Sequence, residues 1–377
     1  MINKSTDLVK NKTLCFVPYK RHIDPLITGL SARLMVIVAL PQYIGKIQKT
    51  PNSFFVTRYT SFGLQSVSRF LGKEVFAPHY MQGLISSLRK YKPTHIITFD
   101  LYHWYTMQCI RYIRKYPESK LYIYAETIDW PVNKLSKLYL RFMIYFIQHQ
   151  AVMISGILVY SDRSKVFLQP LFPTVPVHIL SAPIETTQFY LDASKEYMPE
   201  GVLRIIMNAR YIPLKEHRTF FMALQLLDQK GVKFHASLIG RGGYLQDELQ
   251  KYAKKLDISQ SIAWLEPVEH EELRVIYSSH DVLVLPSNRE AIGMVVPEAM
   301  ACGLATVTSQ AVGANTYVEE GKTGLIFETG NVVALADALL TLSRKEVVHA
   351  YGQTAAKVIR EQYSVEVLGQ KLLKALE

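Results

Sequence analysis

The sequence predicts an α/β protein of two parallel-sheet domains facing a cleft. Short apolar runs, each stopped by Pro, Gly or a polar turn, alternate with segments of helical periodicity along the chain, the pattern of buried parallel strands joined by helical crossovers. At 377 residues the chain exceeds the size at which one core usually keeps growing, and 49% hydrophobic residues are ample for two. The stretch from Asp281 to Ser309, DVLVLPSNREAIGMVVPEAMACGLATVTS, is the third observation. Its apolar run Val282 to Leu285 stops at Pro286, and a turn passes through Arg289, Glu290 and Gly293. A short helix then begins near Pro297 and ends at Gly303, before a second buried run, Leu304 to Val307. Such a unit puts a loop and a helix N-terminus at the carboxyl edge of a parallel sheet, where open α/β sheets bind ligands. Glu290 and Glu298, with seven residues between them, can both accept hydrogen bonds from vicinal hydroxyls there, as on a sugar and a ribose.

Composition narrows the classes. The start lacks a charged, apolar and small-residue succession, so no secretory signal is expected. The most apolar stretch, Tyr139 to Tyr160, is interrupted by Arg141, Gln148, His149 and Gln150, which suits a core or interfacial helix better than a membrane span. Cys15, Cys109 and Cys302 are odd in number and far apart, which suits reduced cytosolic thiols and no zinc site. Residues 1–190 hold 23 Lys and Arg against 9 Asp and Glu, a net of +14, while the remainder is at −3. The partner of the first half is therefore anionic: a membrane surface, a phosphorylated lipid or sugar acceptor, or nucleic acid.

In chain order, Thr13 to Val17 and Arg33 to Leu40 are expected as strands, with the basic loop Lys20, Arg21 and His22 between them as a candidate contact for an anionic acceptor or the membrane. A helix is expected over Phe76 to Tyr91, then a strand over Thr94 to Phe99. The aromatic and basic helix Tyr102 to Tyr116 offers Trp104, Tyr105 and Tyr112 as interfacial anchors or as core. Strand Leu121 to Ala125 ends at Glu126, a candidate site residue of the first half, with His103 and Asp129 as alternatives. Gly156 to Tyr160 is a further strand, and the charged stretch Leu191 to Gly201 reads as a linker. Strand Leu203 to Asn208 then leads into Arg210 and Lys215. Arg210 can fork onto phosphate oxygens and Lys215 can act as a point charge toward an anion. Strand His235 to Ile239 runs into a glycine cluster, Gly240 to Gly243, that fits a turn beside a nucleotide; Ile262 to Leu265 follows. Glu269, His270, Glu271 and Glu272 read as the acidic first turn of a helix and not as a metal set. Helices are expected over Tyr244 to Leu256, Val332 to Leu342 and Val365 to Leu376.

The segment Glu290, Ala291, Ile292, Gly293 through Glu298, Ala299, Met300, Ala301, Cys302, Gly303 resembles the Glu-x7-Glu donor signature of the GT-B glycosyltransferases of retaining family 4, the glycosyl transferases group 1. Ala209 to Lys215 is similar to that family's Gly-Arg-x4-Lys loop, with Ala209 in place of glycine. The resemblance is specific from Leu203 to about Leu342 and architectural before that. It implies two Rossmann-like domains: an acceptor domain over 1–190, a nucleotide-sugar donor domain over 191–355, and a helix over 356–377 that crosses back to the first. It also implies roles. Arg210 and Lys215 would neutralise the diphosphate, and amides around Gly293, Met294 and Val295 would meet phosphate or sugar. Glu290 would hold the sugar hydroxyls, Glu298 the ribose, and the loop with Leu265 and Pro267 would line the nucleobase. The family's histidine after the strand ending at Ala125 is absent, and Glu126 stands roughly in its place, which implies a catalytic or acceptor-orienting role for it. The implied reaction moves a hexose-type residue from a nucleoside diphosphate sugar to an acceptor hydroxyl with retention. The expected acceptor is a lipid-linked, lipopolysaccharide or polysaccharide glycan, at the inner face of the cytoplasmic membrane. No Asp-x-Asp occurs, so no metal or other cofactor is expected; nucleic acid is not the expected partner, because the aromatic and basic spacing of Tyr102 to Tyr116 fits a membrane interface better. A soluble glycan acceptor and a non-catalytic sugar-nucleotide binder remain as alternatives.

Overall fold

The computed structural model describes residues 13–17, 24–31, 35–41, 53–56, 58–61, 79–240 and 242–377. Its internal contacts divide the chain into two compact units, one of Met1–Pro183 with Leu368–Glu377 and one of Ile184–Val367.

In the first unit the order is β1 (Thr13–Val17), α1 (Asp24–Ser31), β2 (Met35–Pro41), β3 (Ser53–Val56), β4 (Arg58–Ser61), β5 (His79–Gln82), α2 (Leu84–Tyr91) and β6 (His95–Phe99). It continues through α3 (Trp104–Lys115), β7 (Lys120–Ala125), α4 (Lys134–Gln148), β8 (Gly156–Val159), α5 (Asp162–Leu168) and β9 (Val177–Ile179). Seven strands form one sheet in the order β3-β2-β1-β6-β7-β8-β9, and β4 pairs with β5 apart from it. All pairings in the seven-stranded sheet are parallel. Strands β6, β7 and β8 are buried along their length apart from Lys120, as apolar runs without alternation should be when helices cover both faces.

Two expectations for this unit need correction. The segment read as a helix from Phe76 holds strand β5 over His79–Gln82, and the helix begins only at Leu84. Gly83, at φ 85°, makes the break, a left-handed turn where glycine carries no steric cost. Tyr105 and Tyr112 do not face outward as anchors: they are 0% and 2% exposed and belong to the core, leaving only Trp104 of the three at the surface.

The second unit runs β10 (Leu203–Asn208), α6 (His217–Gln229), β11 (Phe234–Ile239), α7 (Gln246–Lys255), β12 (Ile262–Leu265), α8 (Leu273–Ser278), β13 (Val282–Leu285) and α9 (Val295–Ala301). Then come β14 (Ala305–Ser309), β15 (Gly324–Phe327), α10 (Val332–Leu342), α11 (Lys345–Gln362) and α12 (Val365–Ala375). The parallel order is β12-β11-β10-β13-β14-β15. The unit begins ahead of residue 191 because the Ile184 amide donates to the Tyr363 carbonyl at 2.9 Å and Phe189 is buried in the second core. It extends past residue 355 because α11 packs on α9 and β14. The end of the chain returns to the first unit, where His95 Nε2 and Lys120 Nζ lie 3.2 and 3.4 Å from the Leu376 carbonyl oxygen.

In both sheets the chain winds outward one way and then the other. The reversal falls between β1 and β6 in the first sheet and between β10 and β13 in the second. At such a switch point the two following loops part and leave a crevice beyond the carboxyl ends of the strands.

Candidate functional site

The two strands at the second switch point are tied at their amino ends by a buried ion pair. Arg204 donates through Nε and Nη2 to Asp281 at 3.0 and 2.7 Å, and Asp281 is fully buried. This bidentate pair also takes the Arg204 amide at 2.9 Å, so the register of β10 against β13 is held where ladder bonds are fewest.

At the opposite ends the loops carry the predicted residues. The loop after β10 passes Ala209 and Arg210, turns through a short 3-10 segment, Pro213–Lys215, and enters α6 through Glu216 at φ 55°. Two glycines press against it. The Gly243 site leaves no room for a side chain, since a Cβ would lie 2.4 Å from the Tyr211 carbonyl oxygen. The glycine cluster therefore packs on the Arg210 loop through a backbone pairing, with the Tyr211 amide donating to the Gly242 carbonyl at 3.1 Å.

The loop after β13 is stitched to the first. The Asn288 amide donates to the Leu214 carbonyl at 3.0 Å, and Asn288 Nδ2 donates to Glu216 Oε1 at 2.9 Å. Lys215 Nζ forms an ion pair with Glu290 Oε2, and both side chains are largely enclosed. Glu290 is held by its backbone as well: its amide donates to Ala311 at 3.2 Å and its carbonyl accepts from Gly313 at 2.8 Å. Gly293, at φ 78°, lets the chain turn into α9, where a Cβ would stand 3.1 Å from Glu290 Cγ. Helix α9 starts at Val295, and Met294 at its N-cap supplies no side-chain cap, so the amides of Gly293, Met294 and Val295 lie at an uncapped helix start.

Glu298 departs from the expected picture of two carboxylates open to one crevice. It is only 6% exposed, and its Oε1 lies 2.9 Å from His270 Nε2. Burial pushes its carboxyl above the ordinary range, against the lowering hydrogen bond and charge of His270. His270 itself is steered from behind by Gln188, whose Nε2 is 3.3 Å from His270 Nδ1 and 3.1 Å from its carbonyl oxygen. The acidic run around it is a helix start, with Glu269 and Glu272 forming a reciprocal capping box. Sequence reasoning captured the acidic helix start but neither the capping box nor the histidine's partner, the latter because the contact joins residues 28 positions apart on different elements.

Arg210 is exposed and makes no ion pair among the described residues. Leu265 ends the edge strand β12 half-buried, and Pro267 follows it exposed. A cavity of about 590 Å³ in this unit is lined by Phe189, Tyr190, Asp192, Lys357 and Arg360 among others, and by none of the predicted donor residues. Among the described residues no group of three His, Cys, Asp or Glu could hold a metal ion.

In the first unit Glu126 follows β7, one strand beyond the switch point. Its amide donates to Asp100 Oδ1 at 2.9 Å. Asp100 is the first residue after β6, fully buried and at φ 61°, and Thr106 Oγ1 donates to its carbonyl at 2.8 Å. The only sequence signal for Asp100 was a carboxylate directly after a buried strand at a switch point. The alternatives to Glu126 are engaged elsewhere: His103 is buried and stacked on His79 and Tyr105, and Asp129 pairs with Arg163 at 3.0 Å on the surface. Lys20, Arg21 and His22 lie outside the described residues.

Known proteins agree with this architecture. Residues 192–364 match the family model of the glycosyl transferases group 1. A D-inositol 3-phosphate glycosyltransferase of Corynebacterium jeikeium is 37% identical over 100 residues, which span 26% of this chain and 24% of that one, about a quarter of the relative's length. The sucrose-phosphate synthase of Thermosynechococcus elongatus aligns over 97% of this chain and 98% of its own with a TM-score of 0.70 at 14% identity. The HepE protein of Anabaena, solved in complex with UDP and glucose, aligns over 97% and 99% with a TM-score of 0.66 at 16% identity. With its two parallel sheets, each reversing at a central switch point, the chain has the α/β fold of the GT-B glycosyltransferases, and its residues 192–364 are similar to the glycosyl transferases group 1.

Proposed function

We propose that this chain is a hexosyltransferase that moves a sugar from a nucleoside diphosphate donor to an acceptor hydroxyl, with retention at the anomeric carbon and without a metal. The observation that carries the reading is the Lys215–Glu290 ion pair across the two switch-point loops, stitched by Asn288. A cation held in a half-enclosed loop by a carboxylate is preorganised for a second anion. When the diphosphate enters, Lys215 and Arg210 meet its oxygens, Glu290 turns its acceptor capacity to sugar hydroxyls, and the uncapped start of α9 adds amide donors. Glu298, backed by His270, takes the ribose, and the Leu265–Pro267 loop lies against the base. As the glycosidic bond breaks, negative charge accumulates on the leaving diphosphate, and these fixed cations do there what a divalent ion would otherwise do. Glu126, set by Asp100, is the acceptor-orienting group of the first unit. The name of the Corynebacterium relative supports a phosphorylated or otherwise anionic acceptor, as does the +14 balance of residues 1–190, with a lipid-linked or polysaccharide glycan at the inner membrane face as our preferred class.

A thermal-shift screen across UDP, GDP and ADP sugars tests the donor. A true donor at a hundred times its dissociation constant stabilises by about 2.7 kcal/mol. Lys215→Ala and Glu290→Ala should each lower transfer about 10²- to 10³-fold, the loss seen when one preorganised charge-stabilising group is removed, and EDTA should change nothing. Stabilisation without turnover on any acceptor would leave a sugar-nucleotide-binding protein instead.

A further inference from the structure

Helix α4 has two apolar faces and buries only one. Leu140, Met143, Ile144 and Ile147 point into the first core. Leu135, Leu138, Phe142, Tyr145 and Phe146 are 52, 66, 48, 58 and 43% exposed. Their spacing of three and four residues puts them on one stripe along the outside of the helix. The stripe is consolidated by its own rings, with Phe142 and Phe146 4.6 Å apart between centroids.

Cations accompany it. Lys134, Lys137 and Arg141 recur at three- and four-residue spacing and so run along one edge of the stripe, and the helix contains no acid. Arg141 lies over the Trp130 ring at 5.3 Å, which holds its charge beside the apolar face. The helix is fixed at its start by Asn133, whose Oδ1 accepts from the Leu135 and Ser136 amides. A rigid, capped helix with an uncovered aliphatic and aromatic stripe beside a row of cations fits the boundary between acyl chains and anionic head groups. It is too short to cross a bilayer at 15 residues, and no helix among the described residues is long and apolar enough to do so. A second copy is a poor occupant, because a two-fold contact through this face would bring the same three cations together.

We propose that α4 is a membrane-docking helix that lies in the head-group region of an anionic lipid bilayer, with Leu138 and Phe142 at the centre of the inserted stripe and Lys134, Lys137 and Arg141 on lipid phosphates. None of these residues belongs to the donor site of the second unit, so the proposal stands or falls apart from the reaction assigned there.

The test is co-sedimentation of the full chain with vesicles of mixed phosphatidylglycerol and phosphatidylcholine, and with vesicles of phosphatidylcholine alone. The chain should partition about tenfold more strongly to the anionic vesicles and lose that preference in high salt. Leu138→Ser with Phe142→Ser should cut partition about tenfold or more, while the melting temperature falls only slightly, because both side chains are exposed and serine is a somewhat poorer helix former. Lys134→Glu with Lys137→Glu should abolish the preference for anionic lipid without touching the stripe. Wild-type protein that stays in the supernatant with both vesicles overturns the proposal, as does a serine pair that binds like wild type. A dimer in sedimentation velocity that the serine pair dissociates would give this face to a second copy and overturn it too.

Discussion

The two sheets solve the same problem with different chemistry. In each, the residue just before the second switch strand reaches across to the amide of the first: Thr94 Oγ1 accepts from Thr13 at 2.8 Å in one, and Asp281 Oδ2 accepts from Arg204 at 2.9 Å in the other. The first tie is a neutral hydroxyl. The second is a buried carboxylate that also holds the Arg204 guanidinium. At the carboxyl ends the contrast continues, with a buried Asp100 under the Glu126 amide in the first unit and two loops knitted by Asn288, Lys215 and Glu290 in the second. Topology makes the crevice in both; what can bind there depends on the loops.

The sharpest way to break this comparison is to cut both ties. Asp281→Ala removes a buried carboxylate that accepts from the Arg204 amide and from its half-buried guanidinium, and should cost about 3 kcal/mol in denaturant unfolding, whereas Thr94→Ala removes a neutral hydrogen bond and should cost about 1 kcal/mol. Equal losses would show that the charge adds nothing to the second switch point.

Acid should also strain the second unit. Burial holds the His217 and His280 pKa values down to about 4, His217 with help from Lys215 and His280 against its Ile276 carbonyl contact. His280 is satisfied as a neutral ring, with Nδ1 2.7 Å from the Ile276 carbonyl and Nε2 2.8 Å from Ser237 Oγ, while neither His217 nitrogen has a partner. An unfolded chain takes up these protons near the ordinary value of 6.5 and the folded chain resists until about 4. Stability is therefore fully present at neutral pH and lost as pH falls through that window, by at most about 2.7 kcal/mol per pH unit for two protons. Melting curves should show it, and His217→Phe should halve the slope. A flat profile in wild type would mean that these rings are solvated.

Smaller still is Gly293→Ala. A left-handed alanine costs about 1–2 kcal/mol, and the new methyl stands against Glu290 Cγ. Transfer should fall more than the melting temperature does, and unchanged kinetics would detach Gly293 from the positioning of Glu290.

How much of this was legible in the sequence differs between the units for a physical reason. Leu203–Asn208, Val282–Leu285 and Val332–Leu342 come out where the residues place them, because strands buried on both faces must be apolar throughout and turn residues bound them. The loop residues of the second switch point were singled out by their resemblance to a family's motifs, and the structure pairs two of them, Lys215 with Glu290. In the first unit, Tyr105 and Tyr112 show the limit: an aromatic stripe has the same period whether it faces core or solvent. The apolar stripe that does face solvent lies on α4, whose sequence satisfies a core on one side and leaves a second on the other.

By itself the sequence determined the α/β class, the two sheets and which loops carry charge, since these follow from local periodicity and turn chemistry. Only the tertiary structure decided that Lys215 answers to Glu290, that Glu298 is enclosed beside His270, and that Asp100 sits beneath Glu126. Each of those contacts joins residues tens of positions apart, and their separation in space is set by strand order and register, which no short stretch of the chain encodes.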